Sequence, residues 1–157
     1  MKSLKVILGT FLACTMLAFS SGEKVPQKVK EAFAKKFPMA KKIKWDKENS
    51  TEWEVEFKMH KVAYSANFLE NGTWKETEHK IKVKEIPNVV KTALMTAFPG
   101  YDIEAAEISE TQEGKVYEIE IEKGETKMEV VLDPSGTIVK KEVLKENDKE
   151  NDKEDNN

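Results

Sequence analysis

Glutamates at alternating positions are the residues of this sequence best spaced for chemistry. They occur as a pair, Glu54 and Glu56, and as a triplet, Glu118, Glu120 and Glu122. In a β-strand, a spacing of two places side chains on the same face. Carboxylates gathered in this way can transfer protons or bind a cation. The simpler interpretation, which we favour, is that they keep the wet face of a sheet soluble, because no nearby residue indicates a cavity.

The other reactive side chains form no recognisable catalytic or metal-binding motif. His60 and His79 have no Cys or acidic residue at the spacing typical of zinc ligands. Ser65 is not in a Gly-x-Ser-x-Gly setting, and the glycines are scattered among turns rather than gathered in a phosphate-binding loop. We therefore expect no enzymatic activity, no catalytic residue, no metal site and no cofactor.

Aromatic residues could either line a ligand surface or fill a core. Most of them fall at every second position of apolar stretches, a pattern that favours the core of a sheet. Trp74 is the least settled of them because it follows a turn. The set comprises Trp45, Trp53, Phe57, Tyr64, Phe68 and Trp74.

Two similar stretches must position these side chains, and both are predicted to be helices. Residues 25–38 read VPQKVKEAFAKKFP, and residues 86–99 read IPNVVKTALMTAFP. Their apolar residues recur every three or four positions, which is typical of an amphipathic helix. The first proline of each stretch suits the start of a helix, and the second should end it at the preceding Phe.

Each helical stretch is followed by four stretches that read as short antiparallel strands. Alternation of apolar and polar residues indicates strands with one buried face, and Asn71-Gly72 and Ser135-Gly136 are typical hairpin turns. The predicted strands cover residues 43–45, 52–59, 61–69 and 73–83, then 103–109, 116–123, 126–132 and 137–144.

The expected fold class is therefore α+β, with two tandem repeats, each one helix followed by a four-stranded antiparallel sheet. The apolar stripe of the helix and the apolar face of the sheet need one another. A unit of about 60 residues has a marginal core, so we expect the two units to pack together, and they could share one continuous sheet. The predicted domains are a signal peptide at 1–20, repeats at 21–84 and 85–144, and a disordered acidic tail at 145–157.

The first 20 residues have the features of a signal peptide. Two lysines precede an apolar run at 6–19, which is too short to cross a bilayer, and Ala18-x-Ser20 fits cleavage before Ser21. A lipoprotein modified at Cys14 is the alternative, less favoured because the apolar run continues beyond it. Cleavage after Ser20 would remove the single cysteine of the sequence, leaving no disulfide.

Charge divides the sequence into a basic and an acidic part. Residues 21–84 hold 15 Lys against 10 acidic residues, whereas residues 85–144 hold 6 Lys against 13. No arginine is present, so we expect no nucleic-acid partner. The tail contains no apolar side chain and is predicted to be solvated, with metal attraction or adhesion as the alternative.

These motifs resemble those of the PepSY-like proteins, which are described as similar to β-lactamase inhibitor protein. They are a [VI]-P-x-x-V-x-x-A-x-x-x-x-F-P helix, a [WY]-E-[VI]-E strand and an [NS]-G-T turn, each present twice behind a signal peptide. The resemblance covers about residues 23–144. It implies a helix on a four-stranded antiparallel sheet in each repeat, export to the cell envelope, no known catalytic residue and a role in binding or inhibition.

The sequence therefore predicts a non-enzymatic periplasmic or secreted protein that binds a protein or peptide, with an inhibitor or regulator of a periplasmic hydrolase as the sharper version. No membrane span is expected after the signal is removed. The alternative is a small-ligand or cation-binding envelope protein that uses the acidic face of the second repeat. The candidate binding face comprises Glu54, Glu56, Ser65, Asn67, Glu118, Glu120 and Glu122.

Overall fold

The computed structural model describes residues 24–144 of the chain. The predicted signal peptide, the alternative lipid attachment at Cys14 and the predicted tail lie outside the described residues. Within residues 24–144, neither helix has the length and apolar character needed to cross a membrane.

Two ten-residue helices and eight strands make up the described chain. Helix α1 is Gln27–Lys36, and α2 is Asn88–Ala97, with a short 3-10 helix at Val83–Glu85 before it. The strands are β1 (Lys41–Lys47), β2 (Glu52–Met59), β3 (Val62–Leu69), β4 (Trp74–Lys80), β5 (Asp102–Thr111), β6 (Gly114–Lys123), β7 (Thr126–Leu132) and β8 (Ile138–Leu144).

All eight strands form one antiparallel sheet in the order of the sequence. The mixed helix and sheet class is confirmed, and of the two arrangements expected the continuous sheet is the one present. It is continuous because β4 pairs with β5, with Thr77 opposite Glu110 and His79 opposite Ile108. Two separate four-stranded sheets would each expose an edge of unpaired backbone groups at this point, and the pairing removes both edges.

Both helices end where the sequence predicts. The backbone N–H of Phe37 donates to the carbonyl of Phe33 at 2.8 Å, and Phe98 donates to Leu94 at 2.9 Å; each Phe caps its helix before a proline. The leading prolines sit one position earlier than predicted, at the N-caps rather than inside the first turn. Their ψ angles, 143° and 140°, are extended rather than helical.

The helices pack on one face of the sheet, over two hydrophobic clusters. The cluster under α1 is aromatic: the ring centroid of Phe57 lies 5.2 Å from that of Phe33 and 4.7 Å from that of Phe37. The cluster under α2 is aliphatic, with Leu94 and Ile119 fully buried. Burying each such side chain stabilises the fold by roughly 1.5–3 kcal/mol. The predicted aromatic core set belongs to the first cluster or packs against it, including the half-buried Trp74.

Two hairpin turns hold the helices against the sheet, and both need glycine. Gly72 and Gly136 have φ angles of 89° and 87°, which glycine adopts without strain. A Cβ at Gly72 would lie 2.8 Å from the backbone oxygen of Lys28 in α1, and one at Gly136 would lie 3.0 Å from that of Val89 in α2. Each turn therefore touches the helix backbone, which a larger residue would push away.

Candidate functional site

The sheet face opposite the two helices, here called the outer face, carries every predicted binding residue. Trp53, Val55 and Phe57 of β2 belong to the core under α1. Because side chains alternate along a strand, Glu54 and Glu56 between them point to the outer face. The same alternation on β6, where Tyr117, Ile119 and Ile121 belong to the other core cluster, places its glutamates there too.

The structure brings four of the seven predicted residues together. Glu54 pairs with Asn67, and Glu56 pairs with Ser65, across the β2–β3 ladder. All four line a concavity of about 690 Å³ on the outer face. The remaining three, Glu118, Glu120 and Glu122, lie on β6 outside that lining.

The other wall of this concavity consists of residues that the sequence analysis missed. Glu76 and Glu78 of β4 sit opposite Asn67 and Ser65 of β3, and Glu107 of β5 joins them. The signal that could have revealed them is the spacing of two between Glu76 and Glu78, the same as in the predicted pairs. The apolar residues of β4 do not alternate cleanly, so this spacing gives only a weak signal.

The expectation that the outer glutamates face water, with no cavity nearby, is wrong for the centre of this face. Glu118 is only 5% exposed, and its Oε1 atom has no hydrogen-bond partner. Its cross-strand neighbours are Glu107 on β5 and Val131 on β7. An outward direction therefore does not give exposure at this position.

Three of these glutamates, Glu76, Glu78 and Glu118, converge on one point, and we call them the central acidic cluster. One carboxylate oxygen of each lies within 4.8 Å of those of the other two. The buried hydroxyl of Ser109 donates a hydrogen bond to Oε1 of Glu76 at 2.6 Å. Ser109 lies opposite Glu78, and its short side chain leaves the space in which the carboxylates meet.

Burial makes these carboxyl groups hold protons more tightly than glutamates in water. It raises the pKa of Glu78 to about 10, with a further contribution from the neighbouring Glu76. Burial likewise raises the pKa of Glu118 to about 8 and of Glu107 to about 7, with nearby Glu129 adding to the shift of Glu118. Like charges in a poorly solvated place favour the neutral form of each group.

Towards the rim of the outer face, charged residues form surface ion pairs of the usual kind. Lys44 lies 3.7 Å from Glu56, and Lys127 lies 3.3 Å from Glu122. Exposed ion pairs of this kind contribute roughly 0–1 kcal/mol to stability. Glu120 sits between Ala105 and Glu129 and is partly buried.

His79 lines the concavity but is not part of the central acidic cluster. Its ring lies 4.8 Å from that of Tyr64, which packs against the core under α1. Burial lowers the pKa of His79, which favours the neutral ring. The central acidic cluster therefore offers oxygen atoms only.

Comparison with known families identifies a family for the chain and assigns it no activity. The family model described as "Putative beta-lactamase-inhibitor-like, PepSY-like" matches residues 13–65 and 52–140. No curated protein matches the sequence significantly.

Solved structures share the fold at low sequence identity. A BLIP-like protein from Bacteroides fragilis has a TM-score of 0.72 and 20% identity, over 82% of this chain and 93% of that one. A DUF2874 family protein from Bacteroides uniformis has a TM-score of 0.70 and 18% identity, over 76% and 90%. A structure from Bacteroides eggerthii, titled "putative periplasmic proteins", has a TM-score of 0.69 and 18% identity, over 77% and 90%.

Proposed function

The chain belongs to the PepSY-like, β-lactamase-inhibitor-like family, and from this premise we propose that it is an exported, non-enzymatic protein of the cell envelope that binds a protein or peptide on its outer face. The observation that carries the proposal is the concavity of about 690 Å³ opposite the helices. The helices and the inward side chains fill the other face. The outer face is the broad surface that stays open to a partner.

The charges on this face favour a partner of complementary pattern. Glu54 and Glu56 of β2 line the concavity together with Lys42 and Lys58. A partner that presents basic groups to these two glutamates and acidic groups to the two lysines would be steered into one orientation. Such complementarity acts mainly on the association rate and on specificity.

We further propose that the chain is built from two tandem repeats, 21–84 and 85–144, behind a signal peptide and before an acidic tail. Corresponding buried positions support the repeats: Val29 and Val90 in the helices are both fully buried. The glycine turns that touch α1 and α2 occupy equivalent places in the two halves. The periplasmic description of a protein of similar fold agrees with export.

The sharper form of the proposal is an inhibitor or regulator of a hydrolase of the envelope. The family description names resemblance to an inhibitor of β-lactamase. To test this form, the activity of any hydrolase captured as a partner is measured with and without the purified protein.

The proposal is tested by quantitative affinity capture from envelope extract, using tagged wild-type protein and the Glu54→Lys/Glu56→Lys variant. We expect one partner at near-equal molar amount with the wild type. Capture should fall at least about tenfold with the variant, because each lost or reversed contact of about 1.4 kcal/mol corresponds to a factor of ten.

The matched control is Glu31→Lys/Glu125→Lys, which changes the net charge equally. Glu31 is exposed on α1, and Glu125 is exposed in the turn between β6 and β7, so neither lies in the lining of the concavity. The control should capture the partner as the wild type does. Equal capture by the outer-face variant, or loss of capture in the control alone, would contradict the proposed binding face.

A further inference from the structure

We propose that the central acidic cluster, Glu76, Glu78 and Glu118 above the hydroxyl of Ser109, is a binding site for a divalent cation that prefers oxygen ligands, with calcium as its best occupant. The site differs from the cation binding expected from the sequence, because two of its three carboxylates come from β4 rather than from the acidic second half. It also differs in role from the docking face, since a cation can bind the isolated protein.

The strand register explains how the three carboxylates meet. Glu76 and Glu78 are two residues apart on β4, so both point to the outer face. Ser109 of β5 lies opposite Glu78, and Glu118 reaches from β6, one strand further on. A long side chain at position 109 would fill the gap, whereas serine leaves it open and contributes a hydroxyl at its floor.

Unpartnered oxygens within the cluster point to a ligand. Glu118 is 5% exposed, and its Oε1 has no hydrogen-bond partner; Oε1 of Glu78 is also buried without one. Buried polar atoms nearly always have a partner, and a buried carboxyl group without one is costly. A cation that binds here replaces the protons that burial otherwise favours on these groups. One carboxylate oxygen from each of Glu76, Glu78 and Glu118 lies within 4.8 Å of those of the other two, so a single cation among them could contact all three groups.

The chemistry of the ligands determines which cation fits. Carboxylate and hydroxyl oxygens are hard ligands that suit calcium, magnesium and manganese, whereas zinc prefers nitrogen and sulfur. Calcium takes about six to eight oxygens in flexible geometry and accepts bidentate carboxylates. Three carboxylates offer up to six oxygens, and Ser109 or water from the adjoining concavity can supply the rest. Magnesium demands a regular octahedron of ligands. Carboxylates that come from β4 and β6, with β5 between them, are less able to provide it.

The test is calorimetric titration of metal-free protein with calcium chloride at constant ionic strength, together with thermal melts at the same concentrations. We expect saturable binding of one calcium per chain and a melting temperature that rises with calcium. Magnesium should bind more weakly. The Glu78→Gln and Glu118→Gln variants should each weaken calcium binding at least about tenfold, since even residues around a ligand shell typically contribute 10–100-fold.

The matched controls are Glu54→Gln and Glu56→Gln, which remove the same charge from the same face outside the cluster. They should keep the calcium affinity within about twofold, because screening weakens the effect of exposed charges at a distance. Glutamine has nearly the shape of glutamate, and circular dichroism of each variant verifies the fold. A lack of saturable calcium binding, an affinity unchanged in both cluster variants, or an equal loss in the controls would each overturn the site.

The outcome is separable from that of the proposed function. Calcium binding is measured without a partner, and partner capture is tested by charge reversal at Glu54 and Glu56, which are not in the cluster. Loss of calcium binding in Glu118→Gln with partner capture retained would support the cation site alone.

Discussion

Strands β2 and β6 have nearly the same sequence pattern but present it to different surroundings. The first reads WEVEF from Trp53, and the second reads YEIEI from Tyr117. On the inner face the two strands behave alike, since all three apolar residues of each are buried. On the outer face they differ: Glu54 is partly exposed, whereas Glu118 at the corresponding position is 5% exposed.

The neighbours of each strand explain the difference. Glu54 lies between Asp46 on the edge strand β1 and Asn67 on β3, which leaves its carboxylate open to the concavity. Glu118 lies between Glu107 and Val131, in a part of the sheet with two further strands on its β7 side. The strand itself therefore determines which face a glutamate side chain points to, whereas the neighbouring strands determine how deeply that side chain is buried.

The inner face should tolerate large-to-small changes equally badly in both strands. Phe57 and Ile121 are at most 2% exposed and occupy corresponding positions in the two core clusters. We expect Phe57→Ala to lower the free energy of unfolding by about 3–5 kcal/mol and Ile121→Ala by about 2–5 kcal/mol, because each change leaves a cavity. Urea denaturation of both variants measures this.

The conclusion that both inner faces belong to the core would be contradicted if one of these variants had nearly the same free energy of unfolding as the wild type. A change below about 1 kcal/mol at either position would mean that its cluster does not contribute to the cooperative core. The exposed Lys58, next to Phe57, provides the control, and Lys58→Ala should alter stability by less than about 0.5 kcal/mol.

The buried glutamates on the outer face of β4–β6 should make the protein less stable as pH rises. Glutamates whose ionised form is stabilised by folding have the opposite effect. The pKa values of Glu107, Glu118 and Glu78 are raised to about 7, about 8 and about 10, so the folded state binds more protons than the unfolded state above the usual value of 4.5. Stability must then fall as pH rises through these values.

The charged groups around these glutamates determine the pH range in which the effect should be measured. Lys80 and Lys140 oppose the shifts of Glu107 and Glu118, whereas Glu129 and Glu76 increase that of Glu118. The lowered pKa of His79 acts in the other direction, but only below about 6.5, the usual pKa of histidine. Metal-free protein should therefore show a melting temperature that falls between pH 6.5 and 9. A flat or rising profile would show that the glutamates are ionised and solvated.

The sequence reveals those features of the fold that depend on neighbours along the chain. Residues 52–59 and 126–132 were predicted as strands with their observed limits, and Phe37 and Phe98 end the helices as expected. The spacing of two places Glu54 and Glu56 on one face of β2, and Glu118 and Glu120 on one face of β6, as the alternation of buried residues shows. Each of these features follows from backbone geometry and local preference.

Features that depend on pairing between strands distant in the sequence could not be predicted from the sequence pattern. The joining of β4 to β5 brings Glu76 and Glu78 near Glu118, about 40 residues later in the chain. No periodicity of β4 or β6 alone encodes that approach. The small size of Ser109, which opens the space between them, has meaning only once the register is known.

The smallest expected effect is the most direct test of the comparison between β2 and β6, because it changes the same residue type at corresponding positions. In metal-free protein at pH 8.5, Glu118→Gln should raise the free energy of unfolding by roughly 1–2 kcal/mol. Part of the cost of ionising a buried carboxyl, about 1.4 kcal/mol for each pKa unit, is then removed. The burial of the glutamine amide and solvent screening reduce the gain.

At the same pH, Glu54→Gln should change stability by less than about 0.5 kcal/mol, as expected where solvent reaches the carboxylate. Burial raises the pKa of Glu54 in the same direction, so any small change should also be stabilising. At pH 5 both carboxyls are closer to their neutral forms, and the gap between the two variants should narrow. Paired urea denaturation curves at the two pH values measure the gap. Equal effects of the two substitutions at pH 8.5 would mean that β2 and β6 present their glutamates to the same environment, and that neighbouring strands do not decide the protonation of this face.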